Sequence, residues 1–333
     1  MTRLNTTIHN NPFLLSPAGK DYLWGGRRLK DSFSKNIPLT PLAETWECSV
    51  HPDGPSVVAS GSFQGKKLID VIRDHPEFLG THPDTRYGLP ILVKFIDAYK
   101  DLSVQVHPSD EYALKYENSL GKSEMWYVID AAKGAKLVYG FKRNISKETL
   151  RKAALDGSIE KYLNRIDIHP GDVFYIEAGT VHAICEGALI AEIQESSNLT
   201  YRLYDYNRRD KNGNLRELHI DKAIDVANTK SSTSPRQPMH VLKYQPGYSS
   251  TLLARCKYFQ VEKIRINTEH VRDMADYSSG STSFEVLLCI DGCGSIFGDN
   301  FFLNFIKGDC IFVPANSPDL KLHGKADMLR IYC

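Results

Sequence analysis

The sequence lacks an excess of charge, a long apolar run and a signal peptide. Its 333 residues carry 41 Lys and Arg against 40 Asp and Glu, a net charge of +1, so neither a nucleic acid nor an anionic membrane is expected as partner. No apolar run approaches the roughly 20 residues of a membrane-spanning helix, and the start MTRLNTTIHNNPF has no signal-peptide apolar region. These absences predict a cytoplasmic protein.

The sequence also lacks a paired-cysteine framework. Its seven cysteines are odd in number and scattered, mostly in apolar segments such as EVLLCID, which predicts buried free thiols rather than disulfides. Cys289 and Cys293 have no second pair that would complete a zinc knuckle. A structural metal site built from cysteines is therefore not expected.

Short apolar segments dominate the sequence. They are rich in β-branched and aromatic residues and are bounded by Gly, Pro, Asp or Asn, as in LPILVKFIDA, EMWYVIDAA, GDVFYIEA and FEVLLCIDG. They do not alternate with helices, which favours a sandwich or barrel over a parallel sheet. Helical periodicity occurs from residue 66 onward, in PSDEYALKYEN, and at 146–165, where Asp156-Gly157 interrupts it.

An internal repeat spans a stretch at 226–240 that is rich in Ser, Thr and Pro and predicts a linker. The segment PGDVFYIEAGTVHAI (170–184) aligns with KGDCIFVPANSPDLK (307–321), and EMWYVID (124–130) aligns with EVLLCID (285–291). A Gly-Asp turn, an apolar strand and a small-residue turn before a histidine are typical of a cupin barrel, a double-stranded β-helix of the jelly-roll kind. The alternative is two unrelated hairpins that share common turn residues.

We therefore predict an all-β fold of two cupin barrels, with a small α-helical insertion in the first. The first domain would span residues 1–230, with helical insertions at about 66–80 and 146–165. The second would span residues 241–333.

Polar side chains alternate with valines in SVQVHPSDEYA (103–113). Ser103, Gln105 and His107 would share one face of a strand, while the two valines would face a core. The polar face could simply contact solvent. Whether it belongs to a functional site depends on which other residues of the repeat lie beside it.

Four residues of metal-ligand type occur in the first repeat: Gln105, His107, Glu124 and His182. Two imidazoles and a carboxylate can hold Zn²⁺ and leave positions for water or substrate, as a catalytic zinc site requires. The amide oxygen of Gln105 would be a weak fourth ligand. Each of these residues, taken alone, is more often an ordinary core or surface residue. The evidence for a metal site is their joint position on the predicted barrel.

The second repeat keeps only part of this set. It retains Glu285 but has Asp319 where the first repeat has His182, and its strand FQVEKIR offers no histidine. We therefore expect one Zn²⁺ per chain and a second barrel that binds no metal.

Several motifs together resemble the type I mannose-6-phosphate isomerases in their short bacterial form. They are LWGGRRL, ETWECSVHPDGPS, LVKFIDA, LSVQVHP, GKSEMWYVID, AGTVHAI and NLTYRLYDYNR, which cover about residues 10–210. The resemblance implies a zinc-dependent interconversion of mannose 6-phosphate and fructose 6-phosphate. It implies zinc ligands at Gln105, His107, Glu124 and His182, and a sugar site lined by Arg202, Lys94 and Glu192.

Aldose–ketose isomerisation moves a proton between C1 and C2 through an enediol, so it needs an acid/base group and a cation. Glu192 is the leading base by its position in the family, and because a partly apolar barrel can raise a carboxylate pKa. Arg202 could hold the enediolate, and Lys94 could bind phosphate or take a proton. Each could instead be an ordinary residue on the surface of a sheet.

The phosphate needs a rim of cations and hydrogen-bond donors. Ser103 could donate its hydroxyl, and Arg208 follows the strand of Arg202 by six residues. The segment RRDKNG could equally be a charged surface turn. Trp24 would form an aromatic wall, beside a Gly-Gly pair that allows close backbone approach.

The sequence thus favours a zinc-dependent isomerase whose partner is a small sugar phosphate. A second hypothesis is a non-catalytic cupin that binds a sugar phosphate or a metal in a regulatory or accessory role. A metal-dependent oxygenase is less favoured, because cupins that host iron usually present more histidines. The complete set of zinc ligands, Lys94, Glu192 and Arg202 favours the enzyme.

Overall fold

The computed structural model describes residues 10–86, 88–209, 212–232 and 236–333. Strands dominate these residues, which confirms the predicted all-β class. The strands are β1 (Phe13–Ser16), β2 (Ala18–Lys20), β3 (Glu44–Cys48), β4 (Val57–Val58), β5 (Ile91–Asp97), β6 (Val104–Val106), β7 (Glu124–Ala131), β8 (Lys136–Phe141), β9 (Leu163–Asp167), β10 (Val173–Ile176), β11 (His182–Ile184), β12 (Ala188–Glu195), β13 (Tyr201–Tyr204), β14 (His240–Gln245), β15 (Tyr248–Arg255), β16 (Gln260–Asn267), β17 (Ala275–Tyr277), β18 (Glu285–Gly298), β19 (Phe301–Ile306), β20 (Cys310–Val313) and β21 (Leu320–Tyr332).

The helices are short. They are α1 (Arg28–Phe33), α2 (Leu68–Asp74), α3 (Asp110–Tyr116), α4 (Lys147–Asp156) and α5 (Ile220–Val226), with 3₁₀ turns at Gly61–Phe63, Pro76–Leu79 and Ser158–Lys161. The Ser146 side chain accepts a hydrogen bond from the Thr149 amide at the start of α4, which ends at Gly157 in the left-handed region (φ 76°). No helix within the described residues is long and apolar enough to cross a membrane.

The described chain divides into two compact units that are discontinuous in sequence. The central unit comprises residues 18–54 and 91–238, and the C-terminal unit comprises the segment through Pro17 with residues 55–90 and 239–333. The boundary near residue 238 lies in the predicted linker. The sequence predicted two domains that are each continuous along the chain, whereas the two units observed in the structure are discontinuous.

The segment 66–80, expected as an insertion in the first barrel, groups with the C-terminal unit. Its end is hydrogen-bonded there: the Thr81 amide donates to the Thr282 carbonyl (3.0 Å), and the Phe284 amide donates to the Leu79 carbonyl (3.2 Å). These long-range backbone hydrogen bonds explain why the segment belongs to the C-terminal unit, although residues of the central unit flank it in sequence. The roles assigned to the two barrels stay a prediction.

The central unit is built of two antiparallel sheets that share a core. Six strands have the order β10-β7-β12-β5-β3-β2, and five have the order β13-β6-β11-β8-β9. Apolar side chains of both sheets belong to one buried cluster, to which β7 contributes Trp126, β11 contributes Ile184 and β12 contributes Ile190. Two sheets closed over one core form the predicted jelly-roll barrel.

The five-stranded sheet has a second apolar face on its outside. Val104 and Val106 of β6 belong to the same buried cluster as Leu150 of α4 and Ala223 of α5. Because side chains alternate along a strand, Gln105 points the opposite way. The prediction that the valines face a core is confirmed, and the polar face belongs to a pocket inside the unit.

The C-terminal unit contains a ten-stranded sheet. Its main order is β14-β15-β16-β21-β18-β20-β1-β4, with β17 paired to β21 and β19 paired to β18. Ile264, Leu287 and Met328 are fully buried in its core. Strand β1 joins this sheet through β20, where Leu14 lies opposite Ile311.

The predicted repeat is present in the backbone hydrogen bonds. Gly171 and Gly308 both have positive φ (93° and 100°), which favours glycine at the Gly-Asp turns. The Gly171 amide donates to the Val128 carbonyl, and the Val128 amide donates to the Asp172 carbonyl. The corresponding pair of bonds in the second unit joins Gly308, Cys289 and Asp309. The two segments therefore use the same turn in the same hydrogen-bond pattern, which coincidental hairpins would not share.

All seven cysteines are free thiols in the structure. Four of them are buried: Cys48, Cys185, Cys289 and Cys310. This agrees with the expected absence of a disulfide framework.

Candidate active site

A polar pocket of about 280 Å³ lies within the central unit. Six of the residues predicted for the site line it: Trp24, Lys94, Ser103, Gln105, Glu192 and Arg202. They come from the loop before α1, from β5, β6, β12 and β13 of both sheets, and from the residue just before β6. The closed barrel thus brings together side chains that are up to 178 residues apart in sequence.

Three ligand-type side chains converge beside this pocket. One ligand atom each from His107, Glu124 and His182 lies within 4.8 Å of the others, and all three residues are buried. Nε2 of His107 is 3.5 Å from Glu124 Oε2, and Nε2 of His182 is 3.3 Å from Glu124 Oε1. This is the arrangement that a metal ion bound by two imidazoles and a carboxylate requires.

The two imidazoles are suited to metal binding because they are neutral at pH 7. Burial lowers the pKa of His182 to about 4. Burial, followed by the charge of Lys122, holds the pKa of His107 well below its ordinary value. Nδ1 of His182 lies 2.8 Å from the Thr180 carbonyl, so it donates there and leaves the Nε2 lone pair directed at Glu124.

The same cluster holds buried polar atoms that lack hydrogen bonds. Both Glu124 carboxylate oxygens and His107 Nε2 have no hydrogen-bond partner among the described residues, although Lys122 Nζ lies 3.2 Å from Glu124 Oε2 as an ion-pair partner. Such atoms are rare in buried positions and call for a ligand. A divalent cation would satisfy all of them, so the donor set fits a metal.

Gln105 lies at the edge of this cluster. The register of the five-stranded sheet places it opposite both His182 and Arg202. Its amide Nε2 is 3.4 Å from His182 Nε2, so rotation of the amide group would direct its oxygen to the same point. It can therefore serve as the weak neutral ligand predicted from the sequence.

Lys94 and Glu192 form a buried ion pair across β5 and β12. Lys94 Nζ is 3.2 Å from Glu192 Oε1 and 3.7 Å from Glu44 Oε2. The Trp126 indole donates to Glu192 Oε2 (2.9 Å), and its ring packs edge-on against His182 at 5.3 Å between centroids. Trp126 thus links the metal-ligand cluster to the ion pair.

These contacts set the protonation states of the pair. Burial alone would lower the pKa of the Lys94 amine, but Glu44 and Glu192 outweigh it and raise that pKa above its ordinary value. Burial alone would raise the pKa of Glu192, but Lys94 and Lys122 lower it below the ordinary value. The expectation of a raised Glu192 pKa is therefore wrong, because the cations overcome desolvation.

This result separates the roles of the two residues. Lys94 remains a cation at neutral pH, which does not suit the proton-accepting role considered from the sequence. Glu192 remains an ionised carboxylate with lone pairs available. The neighbouring Glu124 behaves differently, since burial and Glu192 raise its pKa to about 7.

Trp24 reaches the pocket because the following glycines allow tight packing. A Cβ on Gly25 would lie 2.5 Å from the Ala43 Cβ, and a Cβ on Gly26 would overlap the Asp97 carboxylate. Asp97 in turn accepts hydrogen bonds from the Arg28 backbone amide (2.8 Å) and Nε (2.7 Å). The predicted close approach at Gly-Gly is therefore present.

Arginine side chains also line the pocket. Arg202 Nε lies 3.3 Å from the Ser103 hydroxyl, and its Nη1 donates to the Glu217 carbonyl (2.7 Å). Arg208 is not among the residues that line the pocket, and its guanidinium is bonded to Asp205 and to a backbone carbonyl. Its predicted contact with phosphate stays a prediction.

Three further charged residues line the pocket and were not identified from the sequence: Glu44, Lys122 and Arg216. Lys122 and Glu44 lie within motifs already recognised, GKSEMWYVID and ETWECSVHPDGPS, so their charges beside or at the start of β7 and β3 were an available signal. No sequence signal identified Arg216, because the segment that carries it shows neither helical nor strand periodicity.

The second barrel reverses the charges of the first. Strands β12 and β21 are equivalent, because they pair with β7 and β18 respectively. On these strands Glu192 lies opposite Lys94 of β5, and Arg330 lies opposite Glu262 of β16. The ion pair is retained with carboxylate and cation exchanged.

Arg330 also neutralises Glu285, the counterpart of Glu124. Arg330 Nε lies 2.8 Å from Glu285 Oε2, and the Tyr277 hydroxyl donates to the same carboxylate. A buried carboxylate with a permanent cation and a hydrogen-bond donor has no need of a metal. This gives a physical reason for the expectation that the second barrel is metal-free, which stays a prediction.

Comparison with known protein families identifies relatives of both units. The model described as phosphomannose isomerase type I, catalytic domain, matches residues 13–135, and that described as mannose-6-phosphate isomerase, cupin domain, matches residues 249–333. The chain is 37% identical over 327 residues to the putative mannose-6-phosphate isomerase YvyI of Bacillus subtilis, covering 96% of this chain and 98% of that protein. It is 38% identical over 325 residues to the mannose-6-phosphate isomerase ManA of the same organism, with the same coverage.

The fold agrees with this relationship. The crystal structure of the mannose 6-phosphate isomerase from Bacillus subtilis superposes with a TM-score of 0.89 at 36% identity, covering 97% of this chain and 100% of that chain. The similarity therefore extends over both units rather than over an isolated motif.

Proposed function

Since the chain belongs to the type I phosphomannose isomerase family and is an isomerase, we propose that it interconverts mannose 6-phosphate and fructose 6-phosphate through an enediol, with one zinc ion per chain. The observation that carries the proposal is the convergence of His107, Glu124 and His182 beside the buried Lys94–Glu192 pair. One site thus combines a metal-ligand set with an ionised carboxylate and fixed cations.

His107, Glu124 and His182 would hold the zinc, with Gln105 as a fourth, weaker ligand. Two neutral imidazoles and one carboxylate match the composition of catalytic zinc sites that keep a position open. When bound, the ion supplies a Lewis acid that polarises the carbonyl and hydroxyl oxygens of the open-chain sugar. Since these strong ligands come from the first barrel, the expected content is one ion per chain.

Glu192 is the proposed base that moves the proton between C1 and C2. Its carboxylate is ionised, and Trp126 and Lys94 each hold one of its oxygens. Fixing both oxygens orients the carboxylate and limits its movement, which favours proton transfer at one position. Lys94 acts as a cation that stabilises negative charge on the enediol oxygens rather than as a base.

Arg202 is the proposed second source of positive charge at the enediol. It lies on β13 opposite Gln105 of β6, so it is placed beside the ligand cluster. Ser103 precedes Gln105 by two residues on the same face, a distance of about 7 Å along a strand. We therefore place C1 and C2 near Gln105 and the phosphoryl group near Ser103, with Trp24 as an aromatic wall.

A coupled assay of the purified protein with mannose 6-phosphate tests this proposal. We expect turnover in the protein as isolated, loss of turnover after chelation, and recovery with Zn²⁺ at one equivalent. Glu192→Gln is the matched variant, since it keeps the shape and removes the base; it should retain zinc and lose most of kcat. Metal-replete protein that binds the substrate without turning it over would instead support the non-catalytic alternative.

A further inference from the structure

The segment that follows β13 places an additional arginine on the pocket wall. We propose that Arg216 supplies the second cation for the phosphoryl group of the substrate, beside Ser103 and Arg202. This rests on the proposed function, because it takes the substrate to be a hexose phosphate. It changes the assignment made from the sequence, where Arg208 held that place.

Arg216 is held by one edge of its guanidinium group. Its Nε donates to Asp205 Oδ2 (2.7 Å) and its Nη2 to Asp205 Oδ1 (2.5 Å). Asp205 itself is 5% exposed, so these two hydrogen bonds attach Arg216 to a buried carboxylate. Within the described residues no acceptor is bonded to Nη1, and Arg216 lines the pocket. A guanidinium bonded along one edge can present its remaining N–H groups to a second anion.

Two side chains of like charge, Arg202 and Arg216, line the pocket. Burial, followed by the charge of Arg216, lowers the pKa of Arg202, so the two guanidinium groups repel each other. Asp205 forms ion pairs with both Arg216 and Arg208, so these two cations share one carboxylate. Repulsion between neighbouring cations destabilises the site when too few carboxylates are present to neutralise them. A bound phosphoryl dianion would reduce this repulsion.

Arg208 is committed to the fold. Its Nη2 bonds Asp205 Oδ1 (2.5 Å), its Nε bonds the Asp205 carbonyl (3.3 Å), and its Nη1 bonds the Asp101 carbonyl. All three of its nitrogens therefore have acceptors from the protein. Binding phosphate through Arg208 would first require these bonds to break, whereas Arg216 can bind without losing its anchor.

The loop is fastened at its far end to the strand of Arg202. The His219 amide donates to the Arg202 carbonyl (2.8 Å), and the Arg202 amide donates to His219 Nδ1 (3.2 Å). These bonds return the chain to β13 after Arg216. The position of Arg216 is thus set by anchors on both sides, Asp205 before it and His219 after it.

The test measures phosphate affinity separately from catalysis. Inorganic phosphate is the probe, through its inhibition constant and through calorimetric binding, together with KM for mannose 6-phosphate. Arg216→Ala should weaken phosphate binding and raise KM by about 10- to 100-fold, the range for losing a charge-assisted hydrogen bond, with unchanged zinc content and a smaller change in kcat. Arg216→Lys should weaken phosphate binding several-fold. A single amine lacks the planar guanidinium geometry that allows simultaneous hydrogen bonds to Asp205 and to phosphate.

Arg209→Ala is the matched control. Arg209 is an exposed cation of the same loop whose Nη1 bonds the Gly213 carbonyl, so its loss changes net charge equally and should leave both constants within twofold. The proposal is overturned if Arg216→Ala behaves like this control, or if Arg208→Ala gives the larger loss of phosphate affinity at an unchanged melting temperature. Failure of the proposed function would appear separately, as absence of turnover in the unmodified protein, while phosphate binding is still measured by calorimetry.

Discussion

Replacing Glu285 with glutamine distinguishes a structural charge network from a metal site in the second barrel. Glu285 is buried and accepts bonds from Arg330 and Tyr277. The change keeps the size of the side chain, removes its charge and replaces one acceptor oxygen with an amide donor. Arg330 would then be left with Glu262, which lies 3.6 Å from its Nη1, as its remaining carboxylate.

The magnitude follows from the burial of this pair. Removing one partner of a buried ion pair costs about 3–5 kcal/mol. The Arg330 side chain is 22% exposed, and Glu262 and solvent compensate part of its charge. We therefore expect the free energy of unfolding to fall by about 2–3 kcal/mol, which lowers the melting temperature of a unit of this size by about 5–10 °C.

Differential scanning calorimetry, zinc analysis and the coupled assay measure the outcome together. Zinc content and kcat per folded molecule should stay within about twofold of the unmodified protein, since effects away from the site are usually small. Asp291→Asn, an exposed change on the same strand β18, is the control and should alter stability by less than about 0.5 kcal/mol. Loss of zinc in Glu285→Gln, or unchanged stability, would refute the assigned role of Arg330.

Four further outcomes are expected. His182→Ala should strip zinc and abolish turnover, because it removes one of two imidazoles from a three-residue cluster; full zinc content in this variant would contradict the assigned ligands. Arg202→Ala should lower kcat strongly with little change in zinc content or melting temperature, and the reverse pattern would make Arg202 a structural residue. Burial, with Asp110 adding, raises the pKa of Glu195 to about 8, so the folded chain keeps a proton that the unfolded chain loses and the free energy of unfolding falls as pH rises from about 5 to 8. Glu195→Gln should reduce this fall in a pH series of melting temperatures, and an identical pH dependence would show that another group causes it. Cutting the chain after Pro238 should give insoluble protein, because β1 pairs with β20 and would lose that partner; a soluble, active fragment would contradict this.

Features that depend on local residue pattern were predictable from the amino-acid sequence. Alternation in SVQVHP assigned the faces of β6, and the Gly-Asp turns revealed the repeat, because strand period and positive φ are properties of neighbouring residues. The ligand types His107, Glu124 and His182 were identified by motif, and the structure brings them within 4.8 Å. A metal site requires particular residue types, and residue types and their motifs can be read from the sequence.

Features that depend on residues far apart in sequence could be assigned only from the folded chain. The protonation of Glu192 was misjudged because Lys94 on β5 and Lys122 just before β7 oppose the effect of desolvation. Likewise, Arg208 and Arg216 are both loop cations in the sequence, and their different bonding to Asp205 and Asp101 separates them. Charge and burial act through space, so which cation faces the pocket is determined by the neighbours that folding supplies.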